Sequence, residues 1–216
     1  MDKKEIQTDI LNSSFKANAC HVGSALSCVD ILIDLFDNII KPDDVFLFSK
    51  ASGVATYYSI LSKQGYFPAE KLPEYLKKYP LPSKEVPGVL HSFGSLGHGL
   101  SVAAGLALSN RTRNVYVLLS DGECQEGSTM EAVLFARQHR LTNLHVLIDN
   151  NLYQACGATD DILRIDWSFF TNNLPNCKIY NTVKGEGVDF MAGDYNWHYQ
   201  NITEEQLNNA LKQIWT

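Results

Sequence analysis

The pattern of apolar and polar positions predicts short buried strands that alternate with helices. Residues 45–48, 115–119 and 144–148 form short, mostly apolar runs that are typical of buried strands. A fourth strand is expected over residues 178–183. The second and third runs are separated by enough chain for one helix, which predicts a crossover unit whose two strands are parallel neighbours.

Helical periodicity accounts for much of the remaining chain. Helices are expected at residues 3–18, 25–36, 53–63, 100–109 and 203–215, the last of them with Thr203 as its N-cap. The segment 21–24 separates the first two helices. Residues 65–93 are rich in Pro and Gly, which predicts a long irregular segment of functional importance. The order of elements predicts a single domain over residues 1–216, a three-layer α/β/α fold with a mostly parallel sheet.

Oxygen-bearing side chains stand where the second and third strands stop. Asp121 follows the second strand, and Asn150 and Asn151 follow the third, about thirty residues further on. Ligand sites of open α/β sheets form at the carboxyl ends of neighbouring parallel strands, so these groups are expected to share one site. Carboxylate and amide oxygens suit Mg²⁺, which proteins commonly share with phosphate groups. The alternative is ordinary turn chemistry, which Asp, Asn and Gly also favour.

Composition narrows the class of protein. With 216 residues and 45% hydrophobic content the chain can bury a core, and its net charge of −6 argues against nucleic-acid binding. No apolar run has the length of a membrane span, and the charged N-terminus does not resemble a signal peptide. The five cysteines include no CxxC pair, so reduced thiols and a cytoplasmic location are expected.

Four segments in the same order resemble the transketolases, which are thiamine-diphosphate enzymes. The Asp121-Gly-Glu turn, together with Asn150-Asn151, is similar to the diphosphate-binding signature of these enzymes. Residues 20–26 resemble the family's GHxGS element, and residues 87–89 with 94–103 resemble its cofactor-facing loop and helix. Residues 182–191 with Trp197-His198 resemble the end of its first domain. The resemblance covers roughly residues 5–215, nearly the whole chain.

The resemblance implies a role for each matching position. Mg²⁺, for which Ca²⁺ is a possible substitute, would be bound by Asp121, Asn151 and the Tyr153 carbonyl. Glu126 would help to couple two active sites across a subunit interface. His21 and His198 would line the reaction centre, where imidazoles suit proton transfer and hydroxyl recognition. The residues expected to bind thiamine diphosphate are Gly94, Leu96, Gly97, Asp121, Gly122, Glu123 and Asn151.

This chain departs from the family pattern at several positions. Ser52 stands where a family histidine is usual, and a second histidine, expected near Leu81, is absent. His91 lies one place beyond the position matching the family's Gly-Val-Glu motif and could compensate for these losses. Ser120 replaces the usual glycine before the metal-binding aspartate. These differences concern the substrate more than the cofactor, and they favour a specialised pathway, for example of unusual sugars.

The resemblance also implies a partner, because a complete transketolase has a second domain that binds the aminopyrimidine ring and supplies an activating glutamate. We expect a split enzyme in which a separate pyrimidine-domain subunit completes an α2β2 assembly. The expected reaction is transfer of a two-carbon ketol unit through an enamine on the thiazolium ring. Two alternatives stay open: a decarboxylase or ligase acting on a 2-oxo acid, and a degenerate domain that binds a partner without catalysis. A small-molecule sugar or 2-oxo acid is the expected substrate, with no nucleic-acid or membrane partner.

Overall fold

Four parallel strands form the central sheet, in the order β1-β2-β3-β6. The computed structural model describes residues 1–216. A small antiparallel hairpin, β4-β5, follows β3. The strand bounds are β1 Val45–Phe48, β2 Val115–Ser120, β3 Leu144–Asn150, β4 Tyr153–Gln154, β5 Gly157–Ala158 and β6 Cys177–Asn181.

Ten α-helices surround the sheet, and none of them combines the length and the apolar character that a membrane crossing requires. Their bounds are α1 Lys3–Ala17, α2 Val22–Ser27, α3 Val29–Asp34, α4 Val54–Lys63, α5 Leu72–Lys78, α6 Gly99–Ser109, α7 Gly127–Gln138, α8 Thr159–Ile162, α9 Trp167–Asn173 and α10 Glu204–Trp215. Helix α10 begins with a capping box, in which the Thr203 hydroxyl accepts from the Gln206 N–H and the Gln206 side chain accepts from the Thr203 N–H.

Helices cover both faces of the sheet, because successive side chains of a strand point to opposite faces. Phe46 and Leu118 pack into a core that contains residues of α1–α5 and α10, whereas Leu47 and Val117 pack into a second core with residues of α6, α7 and α9. Nearly every strand residue of β2 is therefore buried. The predicted α/β fold, with helices on both sides of a parallel sheet, is confirmed.

The register of β2 and β3 positions the strand ends. Ser120 pairs with Asp149, and the Asp121 N–H donates to the Asp149 carbonyl at 3.1 Å. The residues after both strands therefore emerge side by side at one edge of the sheet, as the crossover pattern predicted. Here the chain leaves regular structure, so its side chains and backbone groups are free to face a ligand.

Some boundaries differ from the predictions. The expected helix over 25–36 is two helices, α2 and α3, followed by a π-helical segment, Leu35–Ile39; Ser27 and Cys28 donate to carbonyls of their own turn, which competes with a continuous helix. The segment 65–93 is not wholly irregular, since it contains α5, whose proline lies in the first turn, where a missing N–H costs nothing. The last strand begins one residue earlier and ends two residues earlier than predicted.

Candidate functional site

A cavity of about 280 Å³ opens at the carboxyl edge of the sheet, beside the ends of β1 and β2. It is bordered by strand ends, by the loop before α6, by the β4-β5 hairpin and by the 3₁₀ turn Tyr195–His198. The lining residues are His21, Ser24, Lys50, Ala51, Ser52, Leu81, Gly94, Leu96, Ser120, Asp121, Gly122, Tyr153, Gln154, Ala155, His198 and Tyr199. Seven of the residues singled out from the sequence are therefore brought together: His21, Gly94, Leu96, Asp121, Gly122, Tyr153 and His198.

Asp121 is held rigidly in the wall of this cavity. It is 1% exposed, and its two carboxylate oxygens accept the N–H groups of Gly122 at 2.8 Å and Leu152 at 2.7 Å. Burial raises the pKa of Asp121 to about 6, although the nearby Lys50 charge opposes the rise. A neighbouring cation would favour the ionised carboxylate, and each oxygen retains a free lone pair for one.

The turn after β3 places Asn151 beside Asp121. Leu152 has a left-handed φ of 69°, and the Tyr153 N–H folds back to donate to the Asn151 side-chain oxygen at 3.1 Å. The Asn151 amide nitrogen donates to Ser27 at 3.2 Å, which orients its oxygen toward the turn. Asn151 is buried behind the cavity wall, while Asn150 is committed to a hydrogen bond with Asn181 at 2.9 Å. The structure thus gives different contacts to Asn150 and Asn151, which the sequence alone did not distinguish.

The sequence did not reveal a buried ion pair in the wall of the cavity. The Lys50 ammonium lies 3.2 Å from a carboxylate oxygen of Asp149, and both side chains are at most 1% exposed. Asp149 also accepts hydrogen bonds from the hydroxyls of Ser27, at 2.7 Å, and Thr182. Burial is the largest single effect and disfavours the Lys50 charge, but the surrounding negative groups, Asp149 foremost, together outweigh it and raise the pKa of Lys50 above its ordinary value. Both residues occupy strand ends, the one signal in the sequence that could have identified them.

A second buried lysine, Lys184, lies below the histidines. Its ammonium donates to Ser24 at 3.0 Å and lies 3.5 Å from the His198 Nδ1 atom. Burial, reinforced by the charge of Lys50, lowers the pKa of Lys184 to about 8. In the sequence this lysine stands in an ordinary glycine-rich turn. Because it is far along the chain from the strand ends, the sequence alone does not place it near the cavity.

His21 and His198 meet at one end of the cavity, with ring centroids 4.7 Å apart in an edge-to-face arrangement. His21 has a left-handed φ of 68°, which turns the chain just before α2. Burial is the main cause that lowers the pKa of His21 to about 4 and that of His198 to about 3, and the positive charge of Lys184 is the second. Both imidazoles are therefore neutral near pH 7, and each can donate one hydrogen bond and accept another.

The loop before α6 contributes Gly94 and Leu96 to the cavity wall. Gly97 and Glu123 do not line the cavity; the Gly97 N–H donates to the fully buried Glu123 carboxylate at 3.0 Å. Burial raises the pKa of Glu123 to about 7, against the effect of its hydrogen bond from Ser49. Glu123 is one of the residues expected to bind the cofactor, and its Oε1 atom accepts hydrogen bonds from Ser49 and Gly97.

Two other residues singled out from the sequence lie outside the cavity lining. Glu126 stands at the N-cap of α7 and makes no capping hydrogen bond. His91 is exposed, stacked on Phe93 at 4.4 Å, with its Nδ1 atom 2.8 Å from the Ser92 carbonyl. By contrast, Ser52 and Leu81, the positions of the two absent histidines, both line the cavity.

Comparisons with known proteins agree with this geometry. A family model described as "Transketolase, thiamine diphosphate binding domain" matches residues 4–169. The chain is 34% identical to a protein of Actinobacillus succinogenes that is named as one subunit of an apulose-4-phosphate transketolase, over 95% of this chain and 91% of that one. It is 29% identical to the 6-deoxy-6-sulfo-D-fructose transketolase subunit SqwG of Clostridium sp., over 92% of this chain and 90% of the relative.

Solved structures show the same fold. A transketolase from Leishmania mexicana superposes with a TM-score of 0.85 at 20% identity, and one from Campylobacter jejuni with 0.85 at 23%. Each match covers all of this chain, which spans 41% and 43% of those two proteins. Together with the family match over residues 4–169, these findings show that the chain belongs to the transketolase family, as its thiamine diphosphate binding domain.

Proposed function

We propose that this chain is the diphosphate-binding subunit of a two-chain transketolase that transfers a two-carbon ketol unit. One observation carries the proposal: a single cavity joins the Asp121-Gly122 turn to the paired imidazoles of His21 and His198. A turn suited to a metal diphosphate at one end and proton-transferring groups at the other match the needs of thiamine diphosphate chemistry. The relatives matched over about nine tenths of their length are named as transketolase subunits, which supports the two-chain form.

The residues present fit Mg²⁺ with a diphosphate. Asp121, Asn151 and the Tyr153 carbonyl offer hard oxygen atoms around one turn, the donor type that Mg²⁺ prefers. Mg²⁺ is usually bound by few protein groups together with phosphate oxygens, which the diphosphate would supply. Gly122 keeps the wall open, because a Cβ there would approach the Gln154 Cβ to 3.0 Å.

Lys50, in the cavity lining, and Lys184, which donates to the lining residue Ser24, would place positive charge beside a bound anion, and their low solvent exposure would strengthen the attraction. When bound, thiamine diphosphate supplies the nucleophilic carbon that breaks and forms carbon–carbon bonds. His21 and His198, neutral near pH 7, would recognise sugar hydroxyls and move a proton at their ring nitrogens. The half-buried position of both rings leaves them accessible from the cavity while limiting water.

For the substrate we propose a ketose that carries an anionic group. The names of two relatives refer to apulose-4-phosphate and to 6-deoxy-6-sulfo-D-fructose, sugars with a phosphate and a sulfo group. Ser52 and Leu81 make one wall of this cavity less basic than histidines would, so the anionic group would have to be held elsewhere, for example by the partner.

The partner would cover the mouth of the cavity. Leu96, Leu152 and Tyr199 surround this region and are 38%, 53% and 67% exposed, an apolar rim that a second polypeptide would bury. We propose that the partner carries a pyrimidine-binding domain and assembles with this chain as α2β2, since a cofactor bound between two chains favours a symmetric assembly.

The test is co-expression of this chain with a candidate pyrimidine-domain subunit, followed by calorimetric titration with thiamine diphosphate in the presence and absence of Mg²⁺. We expect Mg²⁺-dependent binding that Asp121→Asn weakens at least about tenfold, since a buried charged ligand is lost. Asp160→Asn, a change at an exposed aspartate of α8, serves as the matched control. Ketol transfer from an anionic ketose should accompany binding.

Three results would contradict the proposal in different ways. Decarboxylation of pyruvate without ketose turnover would point to a 2-oxo acid enzyme. No cofactor binding in the co-purified complex would indicate a degenerate binding domain. Equal binding with and without Mg²⁺ would show that the site does not use this metal to bind the cofactor.

A further inference from the structure

We infer that Glu123 is a positioning residue that ties the cofactor-facing loop to the metal-binding turn without touching the cofactor. The inference rests on the proposed function, because the cavity is taken to be the cofactor site. Glu123 is 0% exposed and is absent from the cavity lining, although its neighbours Asp121 and Gly122 both belong to it.

One oxygen of Glu123 joins three separate segments of the chain. Glu123 Oε1 accepts the Ser49 hydroxyl, at the end of β1, and the Gly97 N–H at 3.0 Å, in the loop before α6. Glu123 itself is fixed at both backbone ends, since its N–H donates to Ser120 at 3.2 Å and its carbonyl accepts from Thr129 at 2.9 Å. The loop is therefore held at a set distance from the turn that begins at Asp121.

The peptide on the loop side has no freedom to compensate. Gly97 has a φ of 81°, and a Cβ there would lie 2.3 Å from the Ser128 hydroxyl, whose proton is donated to the Gly97 carbonyl at 3.0 Å. Gly97 is thus held by two hydrogen bonds, from its N–H to Glu123 and from Ser128 to its carbonyl. Two residues shortly before it, Gly94 and Leu96, form part of the cavity wall.

The two oxygens of the Glu123 carboxylate differ, because only Oε1 accepts hydrogen bonds. We therefore assign the role of this side chain to hydrogen-bond acceptance at Oε1. Glu123 Oε2 is buried without a hydrogen-bond partner, and such an atom destabilises the fold unless the side chain serves another purpose. Glutamine retains the accepting oxygen and places its amide group where Oε2 lies. Glu123→Gln should therefore preserve the tether, while Glu123→Ala removes it.

Hydrogen–deuterium exchange of the chain with its partner, without cofactor, measures the tether directly. In Glu123→Ala we expect the amides of residues 94–99 to exchange about tenfold faster or more, because both hydrogen bonds to Oε1 are lost. Glu123→Gln should stay within about threefold of the native protein, and Ser49→Ala, which removes one of the two hydrogen bonds, should fall between them. Glu205→Ala, at an exposed glutamate of α10, is the matched control.

Affinity for thiamine diphosphate with Mg²⁺, measured by calorimetry on the same complexes, tests the consequence. The dissociation constant should rise about tenfold in Glu123→Ala and recover in Glu123→Gln. Unchanged exchange in Glu123→Ala, or a Glu123→Gln variant as loose as the alanine variant, would overturn the inference even if the native complex binds cofactor. Absence of binding by the native complex would overturn the proposed function and leave the exchange result as it stands.

Discussion

Removal of one partner of the Lys50–Asp149 pair should strongly destabilise the fold. The two charged atoms are 3.2 Å apart and both side chains are at most 1% exposed, so neither can turn to water when the other is lost. Lys50→Met keeps most of the side-chain volume and removes the charge. It leaves the Asp149 carboxylate buried with only the hydroxyls of Ser27 and Thr182 as donors.

The magnitude follows from this burial. Breaking a buried ion pair by removing one partner costs about 3–5 kcal/mol, a large part of the roughly 5–15 kcal/mol that stabilises a typical domain. We expect losses of this size for Lys50→Met and for Asp149→Asn, since each leaves one group unpaired. The double variant leaves no charge uncompensated, so its loss should be close to that of one single variant, with a coupling free energy of about 2 kcal/mol or more.

Urea unfolding of this chain, monitored by circular dichroism, supplies the free energies for the native protein, both single variants and the double variant. Asp9→Asn is a suitable control, because its contact with Lys63 is 3.6 Å long and partly exposed to solvent. Single variants that each lose less than about 1 kcal/mol, or losses that simply add in the double variant, would refute the buried-pair reasoning.

Other properties of the site lead to further predictions. The folded-state pKa values of about 4 for His21 and about 3 for His198 lie below the ordinary 6.5, so the unfolded chain binds more protons in that interval. The stability contributed by these two imidazoles is present above about pH 6.5 and is lost toward about pH 4, whereas the raised pKa values of Asp121 and Glu123 act in the opposite direction. The histidine contribution is therefore a difference: from about pH 6.5 to about pH 4 the urea midpoint should change less favourably in the native chain than in a His21→Ala/His198→Ala variant, and parallel profiles would contradict this. Gly99→Ala should destabilise α6 by about 1–3 kcal/mol, because its Cβ would lie 2.0 Å from a serine hydroxyl. Gly105→Ala, with open space around the Cβ, should stabilise the same helix by about 0.5–1 kcal/mol, and thermal melts that reverse this order would refute it. Removal of Mg²⁺ with a chelator should abolish the rise in melting temperature produced by thiamine diphosphate, a rise expected to be small in Asp121→Asn.

The sheet and the position of its ligand-binding edge could be predicted from the sequence because both depend on local pattern. Short apolar runs marked β1, β2 and β3, and one helix's length of chain between the last two required parallel neighbours. The location of Asp121 could be predicted in the same way, since the residue after a strand end must lie at the edge of the sheet. The match to known transketolase segments then indicated the cofactor, again from contiguous residues.

The contacts between segments that are far apart in sequence required the tertiary structure. Lys50 and Asp149 are separated by about a hundred residues, and Lys184 reaches Ser24 from a distant part of the chain, so no local pattern could reveal either contact. Glu123 stands in the Asp121-Gly-Glu turn, and only the fold shows that its carboxylate is buried and accepts the Gly97 N–H. Strand order follows from chain neighbours, whereas the direction of each side chain depends on packing around it. That difference explains why the sequence predicted where the site lies, and why only the folded chain showed which residues face the cavity and which hold its wall in place.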